Sequence, residues 1–306
     1  MFTNIAPSTV LELTGFVLVA REKSFRRAAA FLSVTPSALS HALRSLEQRV
    51  GVRLLHRTTR QVGLTEAGQV FYGQVEPALH AIGVALDSVN EFRDHPCGQV
   101  RINVPYLAAE MVLSRRFGEF SRTYPDIRLD VAINDHFIDI VEGGYDAGIR
   151  LGDSVGKEMV AVRVTPDLRS VIVASPAYWA ARPAPRTPKE LLSHSCISFR
   201  AGSSGTLYPW EFEKDGKTLS LQLGGPLVLD NNDMMIAAAL DGVGVAPIVE
   251  STIEKELHEG SLVQVLSEWS PRFPGFFLYY SGRRQNSSAL RALVDFLRLR
   301  ADPEEN

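Results

Sequence analysis

The stretch TPSALSHALRSLEQRVG, Thr35 to Gly51, carries its own start and stop signals for a helix. Thr35 is a good N-cap, and Pro36 already has a helical φ and gives up only an N–H that would have no intrahelical partner. Gly51 supplies the left-handed residue on which helices commonly end. Leu39, Ala42, Leu43, Leu46 and Val50 recur at three- and four-residue spacing and form one apolar stripe. Ser37, Ser40, His41, Arg44 and Gln48 fall on the opposite edge. The short side chains at its N-terminal end let the backbone come close to whatever it faces.

Upstream, Leu13, Phe16, Val17 and Ala20 predict a first helix, and Ser24 caps a second over Phe25 to Leu32, rich in alanine where helices cross closely. Ser33-Val34-Thr35 is a tight turn into the third. This is helix-turn-helix spacing, in which the second helix of the motif enters a major groove. Downstream, Val52, Leu54 and Leu55 predict a short strand or turn, Arg57-Thr58-Thr59-Arg60 a basic tip, and Gln61 to Leu64 a returning strand. Such a hairpin wing sets Arg57 and Arg60 against phosphates or a minor groove.

Charge supports that reading. The first 60 residues hold nine Lys or Arg against three acids, +6, so the other 246 carry −9 of a net −3. One end suits a polyanion and the other does not. At 306 residues, 45% hydrophobic and 22% charged, the chain has the length of two domains and an ordinary globular composition. It has no apolar run long enough to span a membrane and no secretory leader pattern, so it is expected in the cytoplasm with no membrane partner. Cys97 and Cys196 belong to no CxxC or Cys/His cluster, so no disulfide, metal site or cofactor is expected.

Residues 11 to 68, with SFRRAAAFLSVTPSALSHALRSLEQRVGVRLLHRTTRQVGLTEAG, resemble the N-terminal winged helix-turn-helix of LysR-type transcriptional regulators. The match runs through Ser-Phe, Ala-Ala, Ser, Leu-Glu, a Leu-Gly-like end, a Leu-Phe-like pair, Arg and Leu-Thr-Glu-Ala-Gly. Val50-Gly51 stands where Leu-Gly is usual, and Leu55-His56 where Phe with an acid or polar residue is common. Ser24, Thr35, Pro36, Ser37, Ser40, His41, Arg44, Arg57, Thr58 and Arg60 are the expected DNA-contacting set.

From Thr65 a helical pattern carries Phe71, Val75, Ala78, Leu79, Ile82, Leu86 and Val89 as a coiled-coil seam, which fits dimerisation better than packing on the chain's own body. Pro77 interrupts it, and an interior proline costs ~3 kcal/mol or kinks the helix, so a bend or a fresh start is expected there. Asp94 to Gly98 reads as a hinge. Beyond it, strand-like runs (QVRINV, IRLDVAI, DAGIR, RSVIVAS) alternate with helical ones (MVLSRRFGEFSRTY, FIDIVEG), suggesting parallel α/β layers. A second alternation follows through SCISFR, LQLGGPLVLD, NDMMIAAALDG and VGVAPI, then GFFLYYSG and a closing helix in SSALRALVDFLRLRA. Trp210 and Phe212, with Tyr208 nearby, are expected as core under a hairpin turning at Asp215-Gly216.

This order resembles the effector half of the same family. The expected fold is α/β with an N-terminal winged helix-turn-helix, a long linker helix and a two-lobed, periplasmic-binding-protein-like effector domain. Its extents are 1–64 for DNA binding, 65–93 for the linker and dimerisation helix, 94–98 for the hinge and 99–306 for the effector domain. Lobe I takes about 99–165 and 269–306, and lobe II about 166–268. A ligand would sit between the lobes at strand ends and helix N-termini. The resemblance implies a pocket lined by Tyr106, Leu107, Asp135, Phe137, Ser198, Phe199 and Asn232, with Arg150 and Arg200 as carboxylate clamps for an anionic effector. It also implies double-stranded DNA bearing an interrupted inverted repeat, RNA polymerase, and a homodimer or homotetramer as partners.

Catalysis is not expected. The seven histidines are scattered and no HxxxH or GxSxG occurs. Gly242 and Gly244 stand between a helix and a strand, which excludes a phosphate loop. A redox sensor on Cys97 or Cys196 is a competing reading, disfavoured by their separation.

Overall fold

A computed structural model describes residues 7–57, 62–88, 95–152, 159–200, 205–282 and 287–299. The chain divides into two compact units, 1–89 and 90–306. The first opens with helices α1 (Pro7–Glu22), α2 (Phe25–Phe31) and α3 (Pro36–Val50). Strands β1 (Leu55–Arg57) and β2 (Val62–Leu64) form the antiparallel wing, and α4 (Glu66–Ser88) follows. The capping expected of α3 is present: Thr35 Oγ1 accepts from Ala38 N–H at 3.2 Å, and Gly51 ends the helix at φ 76°. Ser24 caps α2 by accepting from Arg27 N–H at 3.3 Å.

The apolar stripe buries as its spacing demands. Leu39, Leu43 and Leu46 meet Phe16 and Val19 of α1, Ala28 and Ala29 of α2, and Leu54 and Leu55 of the wing. Gly15 permits the crossing of α1 and α3, since a Cβ there would lie 2.6 Å from Leu39 Cδ1. Fully burying a leucine side chain stabilises by about 1.5–3 kcal/mol, so this stripe holds the three helices together.

Helix α4 runs through Pro77 as one helix, so of the two expected outcomes the fresh start is not the one taken; the carbonyl four residues back, which the proline ring crowds, belongs to Gly73. The seam is also divided. Phe71, Val75 and Leu79 pack on the unit's own core, whereas Ile82 and Leu86 remain 54% and 69% exposed.

The second unit has two lobes. In the first, β3 (Gly98–Val104), β4 (Ile127–Ile133), β5 (Ala147–Leu151), β6 (Met159–Arg163) and β15 (Phe276–Ser281) form a sheet in the order β4-β3-β5-β15-β6. Its first three strands are parallel, and β15 lies antiparallel to β5 and β6, so the layer is mixed rather than parallel throughout. Val100, Ile102, Ile149 and Leu278 pack beneath α5 (Tyr106–Ala108), its π-helical continuation Ala109–Ser114, α6 (Phe117–Thr123) and α10 (Ser288–Leu297).

The second lobe centres on β7 (Leu168–Ala174), flanked antiparallel by β12 (Ala246–Val249) and β13 (Val263–Val265), with β14 (Arg272–Phe273) paired to its start. α7 (Pro176–Ala181), α8 (Asn232–Leu240) and α9 (Glu254–Glu259) belong to it. β8 (Ser198–Phe199) runs parallel to β11 (Val228–Leu229). β9 (Trp210–Lys214) and β10 (Lys217–Leu221) form the expected hairpin, turning at Asp215 and Gly216 with φ of 52° and 71° over a buried Trp210 and Phe212.

Two segments depart from their pattern. Phe137 to Gly143, expected as a helix, is irregular up to Asp139 and then a turn over 140–144, where Asp139 Oδ1 accepts from both Val141 N–H (2.7 Å) and Glu142 N–H (3.1 Å) and Gly143 and Gly144 follow. The expected strand LQLGGPLVLD breaks into β10 and β11 at Gly225, which presses on Cys196: a Cβ there would meet its carbonyl oxygen at 2.4 Å.

Candidate nucleic-acid interface and effector cleft

On α3, Pro36, Ser37, His41, Arg44 and Gln48 are exposed and Ser40 is half-buried. Thr35 is exposed beside them, with its Oγ1 3.0 Å from Ser37 Oγ. This is the predicted edge: small hydroxyl-bearing residues at the N-terminal end, a histidine and an arginine one turn on. Thr58 and Arg60 lie outside the described residues, and Arg57 is placed by its backbone at the end of β1.

The structure also sorts the cations. Arg49 pairs with Glu12, whose side chain is 5% exposed, and Arg27 pairs with Glu22 at 3.1 Å. Arg26, Arg44 and Arg53 are exposed. Two of the nine positive charges counted in the sequence therefore tie helices together.

Sequence reasoning missed what fixes the wing to α3. Glu47, on the helix itself, accepts with Oε1 from Leu54 N–H at 2.9 Å and Leu55 N–H at 3.1 Å. Thr65 caps α4 by accepting from Gly68 N–H (2.9 Å) while donating to the Arg53 carbonyl (2.8 Å). Gly68 lies against the chain before β1, where a Cβ would fall 2.0 Å from the Leu54 carbonyl oxygen. Leu-Glu and Leu-Thr-Glu-Ala-Gly thus act on one junction, although their residues are far apart in sequence.

At the second site, Tyr106 opens α5 directly after β3. Its N–H donates to Asp135 Oδ1 at 2.9 Å, and its hydroxyl donates to Asp233 Oδ2 at 2.7 Å, from one lobe to the other. That bond holds the Tyr106 hydroxyl above its ordinary pKa. Glu110, one turn along, has its carboxyl raised by burial and by the charge of Asp233. Asn232 donates to Thr252 Oγ1 at 3.4 Å, and Phe137 is 59% exposed. Tyr106, Asp135 and the start of α8 are therefore brought together.

Other members of the predicted set are engaged elsewhere. Arg150 is buried, donating through Nη1 to the Ile149 carbonyl (2.8 Å) and through Nη2 to Asn103 Oδ1 (2.6 Å) and the carbonyls of His136 (2.9 Å) and Asn134 (3.3 Å). Burial pushes its guanidinium down from the usual value, opposed by Tyr279 and Asp135. It pins the loop after β4. Ser198 is buried and donates to the Leu223 carbonyl at 3.1 Å, Phe199 packs on the second lobe's core, and Leu107 packs on the first lobe's core. Arg200 is exposed at the end of β8, its N–H donating to the Leu229 carbonyl at 2.7 Å. A cleft of about 660 Å³ opens where the chain crosses between lobes, lined by residues such as Met111, Thr165, Arg169, Glu250 and Arg272, none of them predicted.

Cys196 is fully buried, which pushes its thiol up to about 12, so the reactive thiolate is scarce at neutral pH. Among the described residues no group of three His, Cys, Asp or Glu is placed to hold a metal ion, and no helix is long and apolar enough to cross a membrane.

Two family models match the chain. Residues 11–69 match the bacterial regulatory helix-turn-helix protein, lysR family, and residues 93–302 match the LysR substrate binding domain. The HTH-type transcriptional regulator YcaN of Escherichia coli is 40% identical over 283 residues, covering 92% of each protein. PgrR of Escherichia coli, also an HTH-type transcriptional regulator, is 37% identical over 289 residues, covering 94% of this chain and 97% of that relative. Among solved structures, CrgA, a LysR-type transcriptional regulator from Neisseria meningitidis, superposes with a TM-score of 0.59 at 28% identity, covering 94% of this chain and 96% of CrgA. The full-length Vibrio cholerae virulence activator AphB shares the fold, with a TM-score of 0.63 at 24% identity over 94% of this chain and 98% of AphB.

Proposed function

The chain belongs to the LysR family of bacterial transcriptional regulators, and from that premise we propose that it is a cytoplasmic, ligand-responsive regulator reading an interrupted inverted repeat in double-stranded DNA. The observation that carries this is the exposed edge of α3, where Ser37, His41 and Arg44 project from a helix whose other edge is core. In this reading α3 enters a major groove with Ser37, Ser40, His41 and Arg44 at base edges, while Ser24, Thr35, Pro36, Arg57, Thr58 and Arg60 meet phosphates or a minor groove. Residues 1–64 bind DNA, 65–93 link and dimerise, 94–98 form a hinge, and 99–306 sense the effector.

Exposed Ile82 and Leu86, four residues apart on α4, support pairing of two subunits, since one module covers one half-site. Effector domains pairing again would give a homotetramer. A small molecule between the lobes would act through its differential affinity for two arrangements of the assembly, and the output would pass to RNA polymerase. An anionic group on that molecule is supported by the exposed Arg200, with no contribution from Arg150, whose donors already face carbonyl oxygens.

The test is a mobility shift with the DNA upstream of this protein's own gene at rising salt, using wild type and His41→Ala/Arg44→Ala. A specific, salt-sensitive shift lost in the folded double variant is expected. A folded wild type that shifts nothing at low salt sinks the proposal.

A further inference from the structure

We infer that the Tyr106–Asp233 hydrogen bond is a latch that holds the two lobes of the effector domain in one arrangement, and that effector response proceeds through its rupture. This rests on the regulator reading above and adds its moving part. Both ends of the bond are anchored. Tyr106 follows β3 directly, and its N–H is held by Asp135 just beyond β4, so it reports the position of the first lobe's sheet. Asp233 stands in the first turn of α8, where Asn231 accepts from Met234 N–H at 3.0 Å and Asn232 bonds Thr252. It therefore reports the position of the second lobe.

The covalent crossovers supply a pivot. Thr165 Oγ1 accepts from Phe276 N–H at 2.7 Å, Val164 N–H donates to the Phe276 carbonyl at 3.0 Å, and Gly275 lies so close to Pro166 that a Cβ would meet its carbonyl oxygen at 2.0 Å. The two connections are thus locked to each other, and the lobes turn about them as a pair. Glu110 opposes the latch: its carboxyl and that of Asp233 repel, while Arg115 relieves part of that charge. A bond working against a like charge leaves a small net bias, which a ligand can overturn.

The test uses the full chain carrying Cys97→Ser, with spin labels at Ser121→Cys on α6 and Lys217→Cys on β10, both exposed. Labelled subunits are diluted with unlabelled ones, and the distance distribution between labels is measured. Tyr106→Phe should raise the ratio of open to latched populations by about 2- to 10-fold, the net worth of one hydrogen bond, and Glu110→Gln should lower it. Asp233→Ala, which removes the acceptor together with the charge that repels Glu110, should also raise it, by less than Tyr106→Phe, and carries the test if that variant fails to fold. Distributions for Tyr106→Phe and Asp233→Ala identical to wild type overturn the latch. A mobility shift on the same samples separates the two readings: DNA binding with unmoved distances fails the latch alone, and moved distances without DNA binding fail the regulator reading alone.

Discussion

Replacing Glu47 by alanine should loosen the wing from α3 without unfolding the helix itself. Glu47 Oε1 is the acceptor for Leu54 and Leu55 N–H, and these residues are only 2% and 3% exposed. A buried donor left without an acceptor costs about 1–3 kcal/mol, so two give about 2–6 kcal/mol. Glu47 is itself half-buried, which lets some water reach the vacated space and favours the lower end, about 2–3 kcal/mol. The assay is amide hydrogen exchange in the full chain, read at Leu54 and Leu55. At 1.4 kcal/mol per tenfold, exchange there should accelerate by about 30- to 150-fold, while the amides of Leu43 and Leu46 in the helix keep their protection. Glu47→Gln retains an oxygen acceptor and should restore most of the loss. Unchanged exchange at Leu54 and Leu55 in Glu47→Ala would refute the reasoning, because the two bonds would then hold nothing.

Other consequences are equally direct. Gly68→Ala places a methyl 2.0 Å from the Leu54 carbonyl oxygen, so the start of α4 must move; operator affinity should fall and the melting temperature with it, and a wild-type melt and shift would contradict the packing. Arg150→Ala strips donors from carbonyls of the loop after β4 and should lower stability by at least about 2 kcal/mol in urea unfolding. Arg200→Ala should instead leave stability unchanged and abolish effector response, and loss of operator binding as well would reveal a folding role. The Cys196 thiol, pushed up to about 12 from an ordinary 9.0, adds stability that is complete below pH 9 and is lost as pH climbs toward 12. Urea midpoints from pH 8 to 12 should therefore drop less in Cys196→Ala than in wild type, and native protein at pH 7.5 should resist iodoacetamide at this position.

Much of the DNA-binding unit is legible in sequence because its determinants are local. Thr35, Pro36 and Gly51 mark helix ends through bonds and dihedrals spanning four residues or fewer, and Leu39, Leu43 and Leu46 mark a buried face through spacing alone. Where a pattern depends on a partner far along the chain, type and spacing no longer decide. The seam of α4 reads as one continuous edge, yet Phe71, Val75 and Leu79 pack on the unit's core while Ile82 and Leu86 are 54% and 69% exposed. Arg27 and Arg49 count as DNA-facing charge until Glu22 and Glu12 are seen beside them. Phe137 to Gly143 has helical apolar spacing, but the side chain of Asp139 binds the N–H groups that a helix would need further along.

The residues expected at an effector site show the same division more sharply. Arg150 has the right type at the right strand end for a carboxylate clamp, but its fate is set by carbonyls of a loop 14 to 16 residues earlier and by Asn103, 47 residues away. A guanidinium that donates to four neutral oxygens stays where it is, because drawing it out would leave those acceptors without a donor. What gathers around Tyr106 is acidic: Asp135 accepts its backbone N–H, Asp233 accepts its hydroxyl, and the charge of Asp233 acts on Glu110. An anionic group would therefore be repelled near Tyr106 and accepted near Arg200. For the anionic effector proposed above, with hydrogen-bond donors facing Asp233 and its negative charge facing Arg200, Asp233→Asn and Arg200→Ala should each lower affinity, and an unchanged affinity in either would refute that placement of the corresponding end.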